Sequence, residues 1–375
     1  MHQLIRQLLT RNLLSILGWT TNRKIVVIES DDWGSIRMPS RKAYEKLLND
    51  GIPVNKDLYC QYDTLASEDD LTALFETLKK HKDKNGNHPV ITANTIVANP
   101  DFEKIKACNF SDYHYELFTD TLKRSLKHSN SFKLWEQGIK DKIFMPQFHG
   151  REHLNVKLWM EALQKGNREV SLAFNEGVFG IPVLSKINMR GNYMAAFDYQ
   201  DRTHLIEIID IIKEGLDLFE TIFHFRSSTL MAPCYTWPKE IEPVLVDKGI
   251  FGLQGISYQH IPVPDRTFLK KTLHFNGEKN KYGQRYLVRN AFFEPTHYPL
   301  TDYTKEIIDR IKISFFWKKP VIISSHRLNF IGSLSEQNRK VNLNKFDRVL
   351  KAILTSWPDV EFMSSAELLE TMNQQ

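Results

Sequence analysis

Lys24-Ile-Val-Val-Ile-Glu-Ser-Asp-Asp-Trp-Gly34 begins as a short apolar run and ends on two neighbouring carboxylates. Lys24 to Glu29 has the length and β-branched content of a buried strand. An isolated Asp-Asp pair is usually a helix cap or a solvated turn. At the end of a buried strand the two charges repel unless a cation or a shared proton sits between them. Seven further runs of the same kind follow: Pro89 to Ala93, Ile143 to Phe148, Thr229 to Ala232, Ile250 to Gln254, Tyr286 to Arg289, Val321 to Ser325 and Val360 to Met363. Amphipathic segments fill the gaps. Asp69 to His81 places Leu71, Leu74, Phe75 and Leu78 on one helical face, and Thr203 to Phe223 does the same with Leu205, Ile208, Ile209, Ile212, Leu216 and Phe219. Ser364 to Met372 supplies a closing helix. Strands alternating with helices predict a parallel α/β sheet. Seven or eight such units predict a (β/α)7–8 barrel, distorted or incompletely closed, as a single domain over residues 1–375. Two loop insertions are expected, an irregular one near 167–201 and one near 257–283 with a hairpin around Asn276 and Gly277.

The 375 residues are 42% apolar and 25% charged, which is ordinary globular composition. Fifty Lys and Arg against 45 Asp and Glu leave a charge of +5 that is spread along the chain, so no nucleic-acid partner is expected. Cys60, Cys108 and Cys234 lack the close spacing of a zinc or redox motif and suit a reducing, cytoplasmic setting. Residues 1–18 read as an amphipathic helix closing one end of the barrel, with weak peripheral membrane contact as its other use. No apolar run is long enough to span a bilayer.

Polar residues able to bind metal or move protons follow several different strands, and in an α/β barrel that edge is the catalytic face. Asp31 and Asp32 follow the first strand; His149-Gly-Arg-Glu-His-Leu-Asn155 follows the third; Ala232-Pro-Cys-Tyr-Thr-Trp237 follows the fourth; Ser325-His-Arg-Leu-Asn329 follows a late one. His149 and His153 are four apart, so one helical turn would aim both imidazoles at one metal. Together these motifs resemble the polysaccharide deacetylase superfamily, carbohydrate esterase family 4 in particular, from about Lys24 to His326.

The resemblance implies Asp31 as base, Asp32, His149 and His153 as metal ligands, and His326 as acid. It implies a hydrolase taking acetyl groups from a saccharide or saccharide precursor with a divalent ion, Zn2+ first and Ni2+, Co2+ or Mn2+ as alternatives. Two departures stand out. Trp33 replaces the family's usual Gly, and the stretch Leu230 to Trp237 has no charge where the family carries an arginine. Arg151 or Arg289 would have to substitute. Trp33, Tyr235 and Trp237 could stack on sugar rings, and Asn94 could donate into the pocket. His149-Gly-Arg-Glu152-His153 also matches the inverted zinc-peptidase motif, with Glu152 as base. A barrel that binds saccharide without turnover is a further reading, supported by the uncharged third motif. Glycoside hydrolysis needs two carboxylates flanking the bond at ~5 to 9.5 Å, which adjacent aspartates do not supply.

Overall fold

The computed structural model describes residues 16–124, 127–182, 193–264, 266 and 268–374. The expected helix over residues 1–18 falls largely outside them. Within them a nine-stranded, wholly parallel sheet forms from β1 (Lys24–Trp33), β2 (Ile91–Ile96), β3 (Phe144–Gly150), β4 (Thr229–Met231), β5 (Gly252–Gly255), β6 (Arg285–Val288), β7 (Ala291–Phe292), β8 (Val321–His326) and β9 (Val360–Met363). Neighbours follow chain order from β1 to β6, and then β7 and β8 lead back to β1. β9 pairs only with the start of β1, Lys24 to Val27, on the side that β2 takes over from Ile28 onward.

The ring meets at a seam made by one stretch of chain. β6 pairs with β5, and β7, three residues on, pairs with β8. Between them the Arg289 N–H donates to Gly255 O at 2.8 Å and the Asn290 N–H to Ile322 O at 3.1 Å. The sheet therefore curls into a distorted (β/α) barrel. No helix separates β6 from β7.

All eight expected strands form. β1 runs four residues further than its apolar run suggests because its polar end is as buried as its start. The helix expected from Asp69 begins at Glu68, where Ser67 and Asp70 form a capping box that satisfies two otherwise unpaired N–H groups. Leu71, Leu74 and Leu78 are buried beneath it, each contributing about 1.5–3 kcal/mol. Two expectations need correction. The 167–201 insertion is not irregular throughout: Asn167 caps a helix, Arg168–Asn175. The hairpin in the second insertion is Tyr258–Pro262 with Leu269–Leu273. Asn276 and Gly277 sit in a turn just before a short antiparallel bridge, Lys279 with Arg285, and the Gly277 N–H donates to Tyr286 O at 2.7 Å.

Gly34 follows the aspartate pair at φ +82°, and a Cβ there would lie 2.2 Å from the Ile96 carbonyl oxygen. Gly34→Ala is expected to cost ~1–3 kcal/mol or more through the forced backbone shift and the strained φ. Denaturant unfolding of the variant beside wild type measures it, and an unchanged midpoint would contradict this packing.

Candidate metal centre and proton-transfer groups

Successive side chains on a regular strand point to opposite faces, yet Asp31 and Asp32 line one cavity of about 550 Å³. A bulge explains this. Asp32 has φ +74°, and the pairing of β1 with β2 slips between Ser30 and Trp33, which re-aims a side chain. A second slip sits where His149 lies: Thr95 pairs with Phe148 but Ile96 pairs with Gly150, itself at φ +132°. His149 and His153 are therefore not one helical turn apart, as the spacing suggested. The chain doubles back at Gly150, the two ring centroids are 5.1 Å apart, and the helix starts only at Val156, capped by Asn155.

Asp32 Oδ1 lies 3.5 Å from His149 Nε2 and 3.3 Å from His153 Nε2. All three residues are buried, with their ligand atoms within 4.8 Å of one another. His149 Nδ1 is 2.6 Å from Met231 O. A carbonyl only accepts, so Nδ1 carries the proton and Nε2 a lone pair. That Nε2 makes no hydrogen bond among the described residues. Burial pushes His153 down to about 3 against the pull of Asp32, so its ring is neutral. Burial works to raise the Asp32 carboxyl, but Arg37 and the two imidazoles outweigh it and hold Asp32 well below its usual range. Arg37 Nη2 donates to Asp32 Oδ2 at 3.0 Å, leaving Oδ1 for the histidines. A buried carboxylate thus faces two buried neutral imidazoles, with the His149 Nε2 lone pair left unpartnered, an arrangement that a cation relieves. Two imidazoles and one carboxylate suit a divalent metal with positions left open.

The neighbouring carboxylate is held differently. Arg289 donates to both Asp31 oxygens, at 2.7 and 2.6 Å, and through Nε to Glu29 at 2.6 Å. Asn94 Nδ2 adds a bond to Asp31 at 2.7 Å. Burial would raise Asp31, but Arg289 dominates and holds it at about 2. The guanidinium beside Asp31 thus comes from the seam and not from the turn after β4. Arg151 does not substitute; it pairs with Glu152 and Glu214.

His326 completes the constellation, with Nε2 3.7 Å from Asp31 Oδ2 and Nδ1 2.7 Å from Glu294 Oε1. Burial disfavours the imidazolium, yet Glu294 with Asp31 and Asp32 overrides it and raises His326 to about 9. A group raised in the folded state keeps its proton below that value and loses it as pH rises through it. If His326 is the acid, the alkaline limb of kcat/KM falls near pH 9. Glu294→Gln removes the main partner and is expected to move that limb down by roughly one unit or more. An unmoved limb would dissociate His326 from it.

The other expected residues divide. Tyr235 lines the cavity, together with Tyr59. Asn94 and Arg289 lie behind Asp31 and act on it. Trp33 and Trp237 do not reach the pocket: both are buried in the main core, Trp33 edge-on to Trp135 and Phe144 with Nε1 bonded to Ser30. Glu152, bound to Arg151, does not line the cavity, and no helix carries the two histidines, so the inverted zinc-peptidase geometry is absent. Sequence reasoning missed Arg37, Glu294 and Glu29. Glu294 follows β7, a strand of two residues that offers no apolar run to recognise. Arg37 carried no signal beyond standing five residues after Asp32.

No protein-family model and no curated protein sequence matches the chain. Among solved structures, a putative polysaccharide deacetylase from Mycobacterium smegmatis aligns over 96% of this chain and 93% of its own, with 11% identity and a TM-score of 0.42. The probable polysaccharide deacetylase of Pseudomonas aeruginosa PAO1 aligns over 94% of this chain and 92% of its own, with 8% identity and a TM-score of 0.48. Puue allantoinase aligns over 95% and 93%, with 8% identity and a TM-score of 0.49. A 4-alpha-glucanotransferase from Thermococcus litoralis aligns over 93% of this chain but only 40% of its own, with 9% identity and a TM-score of 0.47.

Proposed function

We propose that the chain is a metal-dependent hydrolase that removes acetyl groups from a carbohydrate. The observation carrying this is the convergence of Asp32, His149 and His153 on one point, beside an aspartate clamped ionised and a histidine kept protonated. Asp32, His149 and His153 would hold a divalent ion, which when bound would supply Lewis acidity at the reacting carbonyl. Asp31 takes the proton from the attacking water, and His326 gives one to the departing sugar amine or hydroxyl. Arg289 and Glu294 orient these two groups and keep them in opposite charge states, the separation such chemistry needs. In the turn after β4, Pro233 has no N–H and that of Tyr235 goes to Ala232 O, so the Cys234 N–H is the one free to meet a developing oxyanion. Tyr59 and Tyr235 offer ring faces for a sugar. Zinc leads the candidate ions, with nickel, cobalt and manganese also suited to N,N,O donors. Cys60, Cys108 and Cys234 are all free thiols, which suits a cytoplasmic setting.

Metal analysis of wild type beside His153→Ala, coupled to acetate release from N-acetylated chito-oligosaccharides and O-acetylated glycans, tests the reading. Wild type is expected to hold about one ion per chain and the variant almost none, with release lost in parallel. Equal metal content in the two would remove the site.

A further inference from the structure

A second cavity, of about 480 Å³, lies beside the seam, between the β6–β7 stretch and the helix Tyr303–Phe316. Its walls are apolar: Leu17, Ile256, Phe275, Val288, Phe292 and Ile313. Leu17 and Tyr258, both on its lining, are 52% and 45% exposed. Among the described residues lining it there is no aspartate or glutamate, whereas Arg289, Arg310, Lys319 and His274 all contribute. Two of the cations are already matched, Arg289 by Glu29 and Asp31 and Arg310 by Glu306.

Lys319 is not matched. It is 3% exposed, forms no ion pair among the described residues, and spends one hydrogen bond, to Gly18 O at 2.7 Å. An ammonium has three donors, and a buried one without a counter-charge is costly. Asn276, 9% exposed, lines the same cavity. Both residues adjoin Gly18: Lys319 Nζ bonds its carbonyl, and a Cβ on it would meet the Asn276 carbonyl oxygen at 2.4 Å. Asn276 Oδ1 accepts from the Val288 N–H at 3.4 Å, but its Nδ2 has no partner. Unused N–H donors and a lone cation therefore gather against an otherwise greasy chamber.

We propose that this cavity binds a small single-chain amphiphile whose anionic head, a carboxylate or phosphate, meets Lys319 Nζ and Asn276 Nδ2 while its apolar part lies along the chamber walls. The cation and the amide favour an anion, and the walls favour hydrocarbon; a sugar would leave most of its hydroxyls unpaired there. Tyr235 and Arg289 line this cavity too, so it adjoins the metal pocket, but its occupancy does not depend on the reading of that pocket.

Calorimetric titration of the full chain with dodecanoate, dodecyl phosphate and dodecanol tests the site. One or both anions should bind one per chain, and dodecanol roughly tenfold or more weaker, as a charge-assisted hydrogen bond implies. Comparison of the two anions tells a fatty acid from a lipid phosphate. Lys319→Met should bring the anions to the dodecanol level and Lys319→Arg should retain them. If Lys319→Met fails to fold, the head-group comparison on wild type decides alone. Equal binding of dodecanoate and dodecanol, anion binding untouched in folded Lys319→Met, or no binding of any probe would overturn the proposal.

Discussion

Asp31→Asn is expected to lower acetate release roughly 10²–10⁴-fold, the usual contribution of a positioned base, while bound metal stays at the wild-type level. The two readouts separate because Asp31 and Asp32, although adjacent, face different partners. Asp31 is held by Arg289 and Asn94, and Asp32 by Arg37 beside the two histidines. The asparagine is nearly isosteric and can still accept from Arg289 through its carbonyl oxygen, so a gross loss of structure is not expected. Glu152→Gln is the matched control. Its carboxylate binds Arg151 away from the cavity, so its release rate should stay within a fewfold of wild type. A variant pair showing the reverse, Glu152 essential and Asp31 dispensable, would overturn the assignment of the base.

Arg289→Met is the more damaging change. Arg289 is fully buried between Glu29 and Asp31, both themselves buried. Removing one member of such a network strands the others and costs ~3–5 kcal/mol. Glu29 is already raised by burial, with Arg289 the main force opposing that rise. Without the guanidinium, both carboxyls should take up protons near neutrality. The sign with pH follows. In wild type the depressed Asp31 contributes stability that is present above the unfolded value and lost as pH falls through about 2. In the variant that contribution is gone, so the gap between the two proteins should be widest near neutrality and narrow under acid. Chemical unfolding of both from pH 7 down to pH 3 checks this, and a gap constant with pH would show that lost packing rather than lost charge is responsible.

The strand pattern was readable because buried parallel strands must be apolar over nearly their whole length, and eight runs met that demand. The pocket was readable where a strand end carried a residue type that has no reason to be buried alone, as with Asp31, Asp32, His149 and His326. What escaped reading depends on contacts between distant positions. Glu294 reaches His326 from the next strand, and Arg289 reaches Asp31 across 258 positions of chain. Neither pairing leaves a local mark. Trp33 misled for a different reason: adjacency to the aspartates suggested the pocket, but after the bulge its ring turns into the core between Trp135 and Phe144. His149 and His153 were paired for their helical spacing, whereas a glycine bend brings them together.

The stretch 285–292 is paired to one sheet edge by its first half and to the opposite edge by its second, and Arg289 sits at the crossover. A nascent chain that has passed residue 153 already holds Asp32, His149 and His153, yet Arg289, the guanidinium beside Asp31, lies more than a hundred residues further on. The residue that joins the two edges of the sheet is thus the same one that holds the Asp31 carboxylate ionised.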